Sequence, residues 1–228
     1  MKKIFNYFSK FEIMLWVSSI LMITISFIIF DRSNYLTLVA SLIGATSLIF
    51  CAKGNPIGQM LMVIFGALYT YISYTFSYYG EMMTYLGMTV PMSIFSLVSW
   101  LKNPYDGNKS EVKVNRIQKK EIIFMIPLSI IVTVIFYFVL KHFNTANLIP
   151  STISICTSFI AVYLTARRSP YFALMYSVND IVLITLWTLA SLKDISYLSV
   201  IICFIMFLAN DLYSFINWKR IERKQSVI

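Results

Sequence analysis

Charge is scarce in this chain. Of 228 residues only 13% are charged, while 58% are hydrophobic. Soluble domains carry about 25% charge, so a solvated globular domain is excluded and an integral membrane protein is implied. Histidine is scarcer still: His142 stands alone, in an expected loop. The three cysteines, Cys51, Cys156 and Cys203, lie in apolar runs at no metal-ligand or redox spacing. They read as small packing residues, and zinc or haem has no ligand set here. No metal and no cofactor is expected. There is no G-x-x-x-x-G-K-[ST] phosphate loop, no H-E-x-x-H and no G-x-S-x-G. ATP hydrolysis, zinc proteolysis and serine hydrolysis therefore lack their residues. No apolar run holds an acid–histidine pair, and no catalytic residue is assigned.

What the chain does have is length of apolar run. A bilayer crossing needs roughly 20 such residues. Eight runs qualify, near 13–30, 35–52, 57–79, 82–101, 122–140, 148–166, 171–192 and 195–217. The net charge of +9 would suit nucleic acid, but the basic residues sit between the runs and report topology instead. With a cytoplasmic N-terminus, the inside segments hold 16 of the 19 Lys and Arg. Arg32, Lys141 and Lys193 are left outside. Both termini are expected in the cytoplasm, in a cell-membrane protein of eight passes. The first run follows a basic flank but precedes no small-x-small cleavage site, so it reads as a retained helix rather than a signal peptide. The polar segment from Lys102 to Glu121 reads as a basic cytoplasmic loop without chemistry.

An internal repeat organises the runs. The junction CAKGNPIGQ at 51–59 matches TARRSPYFA at 165–173, with Lys53 opposite Arg167 and Pro56 opposite Pro170. SLVSWLKN at 96–103 parallels NDLYSFINWKR at 210–220, Trp100 opposite Trp218 after a four-residue shift. Spans two to four thus resemble spans six to eight. One linking span restores the direction, so the two units insert in parallel, the 3+1+3 arrangement of SWEET transporters. The expected divisions are 1–33 (first helix), 34–103 (first unit), 104–146 (loop and linking helix) and 147–228 (second unit and tail). The fold class is all-α and integral to the membrane.

Inside the apolar runs stand two Asn-Asp dipeptides, Asn179-Asp180 and Asn210-Asp211. An ionisable group at membrane depth usually lines a polar cavity. Asp180 is about 13 Å and Asp211 about 9 Å from the cytoplasmic ends of their spans, at 1.5 Å per residue. Similar depths let both face one cavity. Tyr176, Asp180, Leu183 and Trp187 share a helical stripe, as do Gln59, Gly66 and Ser73 in span three. An amide offers donor and acceptor, and aromatic faces stack on planar rings and attract cations. Asn179, Asp180, Trp187, Asn210, Asp211, Gln59 and Tyr176 are therefore the expected substrate contacts, for a small, flat, polyhydroxylated ligand such as a nucleoside. The competing reading is that such groups tie helices together. Asn217 and Trp218 are read that way, Trp100 as an aromatic-belt residue, Tyr79–Glu81 as a tight outer turn, and Pro91 and Pro127 as helix kinks.

The runs YLGMTVPMSIFSLVSWLKNPYDGNKSEVKVN (85–115), NDIVLITLWTLASLKDISYLSV (179–200) and NDLYSFINWKR (210–220) resemble the PnuC family of nicotinamide riboside transporters, from about residue 34 onward. The resemblance implies a SWEET-like 3+1+3 fold, a homotrimer, and facilitated diffusion followed by phosphorylation of the nucleoside by a cytoplasmic kinase. It leaves thiamine, riboflavin and deoxynucleosides open as substrates. Of other classes, an intramembrane enzyme acting on a lipid head group would have only Asp180 and Asp211 to work with. A proton-coupled carrier using Asp180 is the third alternative.

Overall fold

The structure, a computed structural model, describes residues 7–75 and 78–226. Eight of its helical segments are long and apolar enough to cross a membrane. The first is α1 (Lys10–Phe30), followed by α2 (Tyr35–Ala52) and α3 (Pro56–Thr75). The fourth is compound: α4 (Tyr79–Thr84), a π-helical turn (Tyr85–Thr89) and α5 (Val90–Lys102). A two-stranded hairpin follows, β1 (Pro104–Tyr105) and β2 (Asn108–Val112). Then come α6 (Lys119–His142), α7 (Leu148–Ala166), α8 (Tyr171–Ser191) and, after a 3-10 turn (Ile195–Tyr197), α9 (Leu198–Ser226).

Six helices close a ring. α2 packs on α3, α3 on α4 and α5, α5 on α7, α7 on α8, α8 on α9, and α9 back on α2. Two helices stand outside it: α1 lies against the seam of α2 and α9, and α6 against α7 and α4. Their outward faces are apolar, as a lipid solvent requires, and few of their side chains are buried. Water supplies no drive between helices in lipid, so close packing and interhelical hydrogen bonds decide the arrangement.

The repeat is written into the backbone at the end that carries Lys53, Arg167 and the hairpin, here termed the basic end. α2 closes with Gly54 N–H donating to the Cys51 carbonyl and Asn55 N–H to that of Phe50, at 2.9 and 3.0 Å. α7 closes the same way, Arg168 to Thr165 at 2.9 Å and Ser169 to Leu164 at 3.0 Å. Both turns need a left-handed residue: Gly54 has φ +66° and Arg168 φ +58°. Glycine adopts it freely, whereas an L side chain costs about 1–2 kcal/mol. The Arg168 guanidinium offsets that by donating to the Lys113 carbonyl at 3.1 Å and to Ser99 Oγ at 3.2 Å.

Each unit then caps the other. Trp218 Nε1 donates to the Cys51 carbonyl and Trp100 Nε1 to the Thr165 carbonyl, both at 2.8 Å. Beside them Asn217 Nδ2 reaches the Ala52 carbonyl at 2.8 Å and Ser99 Oγ the Ala166 carbonyl at 2.7 Å. The orphan carbonyls of two helix ends are satisfied reciprocally. The aromatic-belt expectation for Trp100 is corrected here. Both indoles are fully buried, 5.4 Å apart between centroids, and Phe172 packs edge-on to each.

The loop expected at 102–121 is also more than a loop. Asp106 and Gly107, at φ +48° and +72°, form a tight hairpin turn, the backbone twist that Asp-Gly favours. The strand it returns and the segment after it lie across both closed helix ends. Val112 N–H donates to the Gly54 carbonyl at 2.9 Å and Asn115 N–H to the Arg168 carbonyl at 3.0 Å. Gln225 of α9 clasps it from outside, accepting from Val114 N–H at 2.8 Å.

Two further expectations change. Tyr79–Glu81 is no turn but the first turn of α4, with Gly80 buried. His142 is the last residue of α6, not a loop residue. Pro91 follows the π-helical turn in which Val90 N–H bonds the Tyr85 carbonyl. A proline ring clashes with the carbonyl four residues before it, and widening the preceding turn relieves the clash. Pro127 sits inside α6, which runs on through it.

Candidate functional site

The site is built on the inner face of the ring above the Trp100–Trp218–Phe172 layer. Asp180 on α8 and Asp211 on α9 are each 3% exposed. Their carboxyl groups lie within hydrogen-bonding reach of each other. Tyr176, one turn before Asp180, lies near both, with its hydroxyl toward Thr165. From the first unit, Gln59 Nε2 donates to Cys51 Sγ at 3.2 Å, and Cys51 neighbours Asp211. Four expected residues, Asp180, Asp211, Tyr176 and Gln59, thus converge on one buried spot from α3, α8 and α9.

Their oxygens are not used up. Beyond each other, Asp180 Oδ2 and Asp211 Oδ1 have no protein partner, and on α9 the buried Asn210 Oδ1 and Ser214 Oγ have none either. A buried polar atom without a partner is expensive, so such a cluster points to a ligand that completes it. Among the described residues no Lys or Arg is buried. The spot is therefore built for a group that is positive or rich in hydrogen-bond donors.

The other expected residues go elsewhere. Asn179 is turned toward α7, where its Oδ1 accepts from Ser154, Thr157 and Ser158 at 3.0, 2.8 and 3.1 Å. Asn210 is turned toward α1, its Nδ2 donating to Ser19 Oγ at 2.8 Å and to the Met206 carbonyl at 2.7 Å. Trp187 lies farther toward the opposite end, its ring 5.2 Å from that of Tyr197.

Between Trp187 and the acid pair the ring is lined by aromatics outside the expected contacts, among them tyrosines of spans three and four that by sequence read as packing. Phe65 and Tyr69 stand 4.6 Å apart, Tyr69 and Tyr85 5.2 Å, and Phe65 and Phe207 6.2 Å. Ser41 Oγ lies 3.5 Å from the Tyr69 hydroxyl. Cys203 packs in the same apolar cluster as Phe65 and Phe207. Tyr85 opens the π-helical turn, a feature frequent at functional sites. The signal that could have found it was Pro91, six residues later.

A closed ring of membrane helices with an acidic pair and aromatic faces at its centre defines a small-molecule carrier of the polytopic membrane class. Among known proteins, residues 34–220 match the family model described as nicotinamide mononucleotide transporter. A nicotinamide riboside transporter PnuC of Neisseria mucosa is 28% identical over 230 residues, covering 99% of this chain and 87% of that protein. The crystal structure of a vitamin B3 transporter PnuC superposes with a TM-score of 0.80 at 25% identity, covering 96% of this chain and 94% of that one. The chain belongs to the PnuC family of membrane transporters.

Proposed function

We propose that this chain takes up nicotinamide riboside across the cytoplasmic membrane by facilitated diffusion. The observation that carries the reading is the buried Asp180–Asp211 pair in a ring whose interior also carries the grouped Phe65, Tyr69 and Tyr85 rings. The substrate is a flat pyridinium cation bearing a ribose. Aromatic faces suit the cation and the ring, and carboxylates suit its charge and hydroxyls. The family description speaks of the mononucleotide and the Neisseria relative's name of the riboside. The site favours the riboside. A phosphate would bring two negative charges to two carboxyls with no buried Lys or Arg to meet them.

In this reading Asp180 is the electrostatic partner, with Asp211, Gln59 and Tyr176 around the ligand and Trp187 farther along its path. Asn179 and Asn210 hold α8 and α9 in place. The units 34–103 and 147–228 rock about the site, joined by 104–146 and flanked by 1–33. The basic end faces the cytoplasm, which the 16-to-3 distribution of Lys and Arg supports. There phosphorylation traps the nucleoside. A homotrimer is the assembly that the family resemblance suggests.

The test is uptake of labelled nicotinamide riboside into proteoliposomes without an ion gradient, with the mononucleotide, thiamine, riboflavin and thymidine as competitors. Saturable equilibration blocked by unlabelled riboside alone, with no change in lumen pH, is expected. Asp180→Ala is expected to insert normally and to lose uptake. Normal uptake by that variant, or block by thiamine instead, overturns the assignment.

A further inference from the structure

The family model begins at residue 34 and leaves out α1, although the Neisseria relative aligns over 99% of the chain. The structure nonetheless gives α1 the place that α6 holds on the other side of the ring. Both helices carry a glutamate three residues after the N-cap, Glu12 after Ser9 and Glu121 after Gln118. Each meets the basic residue that ends the neighbouring helix: Lys53 after α2, Arg167 after α7.

The two acids differ in reach. Glu121 stays with one helix, since Tyr163 belongs to α7 and Arg167 ends it. Glu12 spans a seam. It is 1% exposed. Its Oε1 accepts from the Tyr213 hydroxyl of α9 at 2.7 Å, with Lys53 Nζ at 3.5 Å. Its Oε2 accepts from Ser9 N–H at 2.6 Å. Lys53 in turn sits over the Tyr7 ring, 5.2 Å from its centroid. Burial pushes the Tyr7 phenol up, so it keeps its proton. It accepts from Asn55 Nδ2 at 3.0 Å and donates to the Ser110 carbonyl at 3.3 Å. Residues 7–12 therefore fasten the α2–α3 junction, α9 and the hairpin to one another. A buried carboxylate is held hard by its donors, because losing one leaves charge uncompensated.

We propose that Glu12 is a positioning residue of the gate at the basic end: it holds the α2/α9 seam shut over Trp218 and Cys51, and releases Tyr213 when that end opens. This rests on the carrier reading above. The helix that carries Tyr213 also carries Asp211 and Trp218, whose indole caps the Cys51 carbonyl. Freeing Tyr213 lets the cap lift and opens the way to the acid pair.

Cys51, 3% exposed beneath the cap, is a native reporter. With Cys156→Ala and Cys203→Ala in place, its modification by a water-soluble maleimide in nanodiscs, without substrate, measures opening at the basic end. A parallel protein with Cys51→Ala and Cys156→Ala leaves Cys203 to report on the opposite half. Glu12→Gln, which loses the charge pair with Lys53, and Tyr213→Phe, which loses the hydroxyl bond, are each expected to raise the Cys51 rate about fivefold or more, the size of one lost buried interaction, and to leave Cys203 unchanged. Glu121→Gln is expected to raise Cys51 labelling less. Unchanged Cys51 labelling in Tyr213→Phe, an equal rise at both thiols, or an equal effect of Glu121→Gln overturns the proposal. No substrate is present, so the outcome stands whether or not the uptake assay supports nicotinamide riboside.

Discussion

The indole nitrogens of Trp100 and Trp218 do the same work at two places. Each closes a helix end of the other unit, at carbonyls 114 residues apart in the chain. Replacing either by Phe keeps the ring and removes the bond. Each change is expected to lower stability by about 1 kcal/mol, or about 2–4 °C in Tm for a chain of this size. The double variant is expected to lose less than the sum, since the rings touch and contacting residues couple. Thermal unfolding of the two single variants and the double variant checks this, and strictly additive losses would argue against one shared cap. The Trp–Lys ends were legible as marks of a repeat, but the role of Trp100 was not. A tryptophan between apolar run and basic loop looks alike whether its N–H meets a head group or a helix carbonyl, because both satisfy the same donor.

At the scale of elements, the compound fourth helix is the informative one. Pro91 widens the turn before it, and that turn presents Tyr85 and Met88 to the interior. Pro91→Ala restores the missing N–H and lets Tyr85–Thr89 relax to a regular helix, rotating Tyr85 away from Tyr69. Loss of one aromatic contact, about 1 kcal/mol, is expected to weaken substrate binding roughly fivefold with folding intact. Titration of the purified variant measures this, and unaltered affinity would remove Tyr85 from the site. The proline was visible in the sequence as a kink. Its actual consequence, a π-helical turn rather than a bend, depends on which neighbours accept the displaced backbone. The Asp106-Gly107 turn was equally visible and passed over. Asp-Gly favours a tight hairpin only when strands flank it, and Asn108–Val112 is held as one by pairing with Pro104–Tyr105 and by Val112 on the Gly54 carbonyl.

For the whole molecule, orientation is the prediction that reaches farthest. Lys113→Cys is expected to react with an impermeant thiol reagent only from the cytoplasmic side, and Lys193→Cys only from outside. Both would be introduced into protein lacking the native thiols. Labelling in the reverse sense would invert the gate proposed at Glu12 as well as the direction of trapping. The seam that Glu12 crosses is itself a whole-molecule property. It exists because α9 returns to α2 and closes the ring.

The sequence by itself determined the solvent, the number of crossings, the parallel repeat and the two acids. Hydropathy and the spacing of Lys, Pro and Trp are local along the chain, and the bilayer admits few alternatives. Spans two and six were placed to the residue, at 35–52 and 148–166. Only the tertiary structure decided how the polar residues divide between site and scaffold. Asn179 and Asp180 are neighbours in sequence, yet helical geometry sets them 100° apart. One meets three hydroxyls of α7, and the other meets Asp211. The same step separates Asn210, bound to α1, from Asp211. A polar group in lipid must find a partner. Which partner depends on the helix that faces it, and that is settled only when the ring closes.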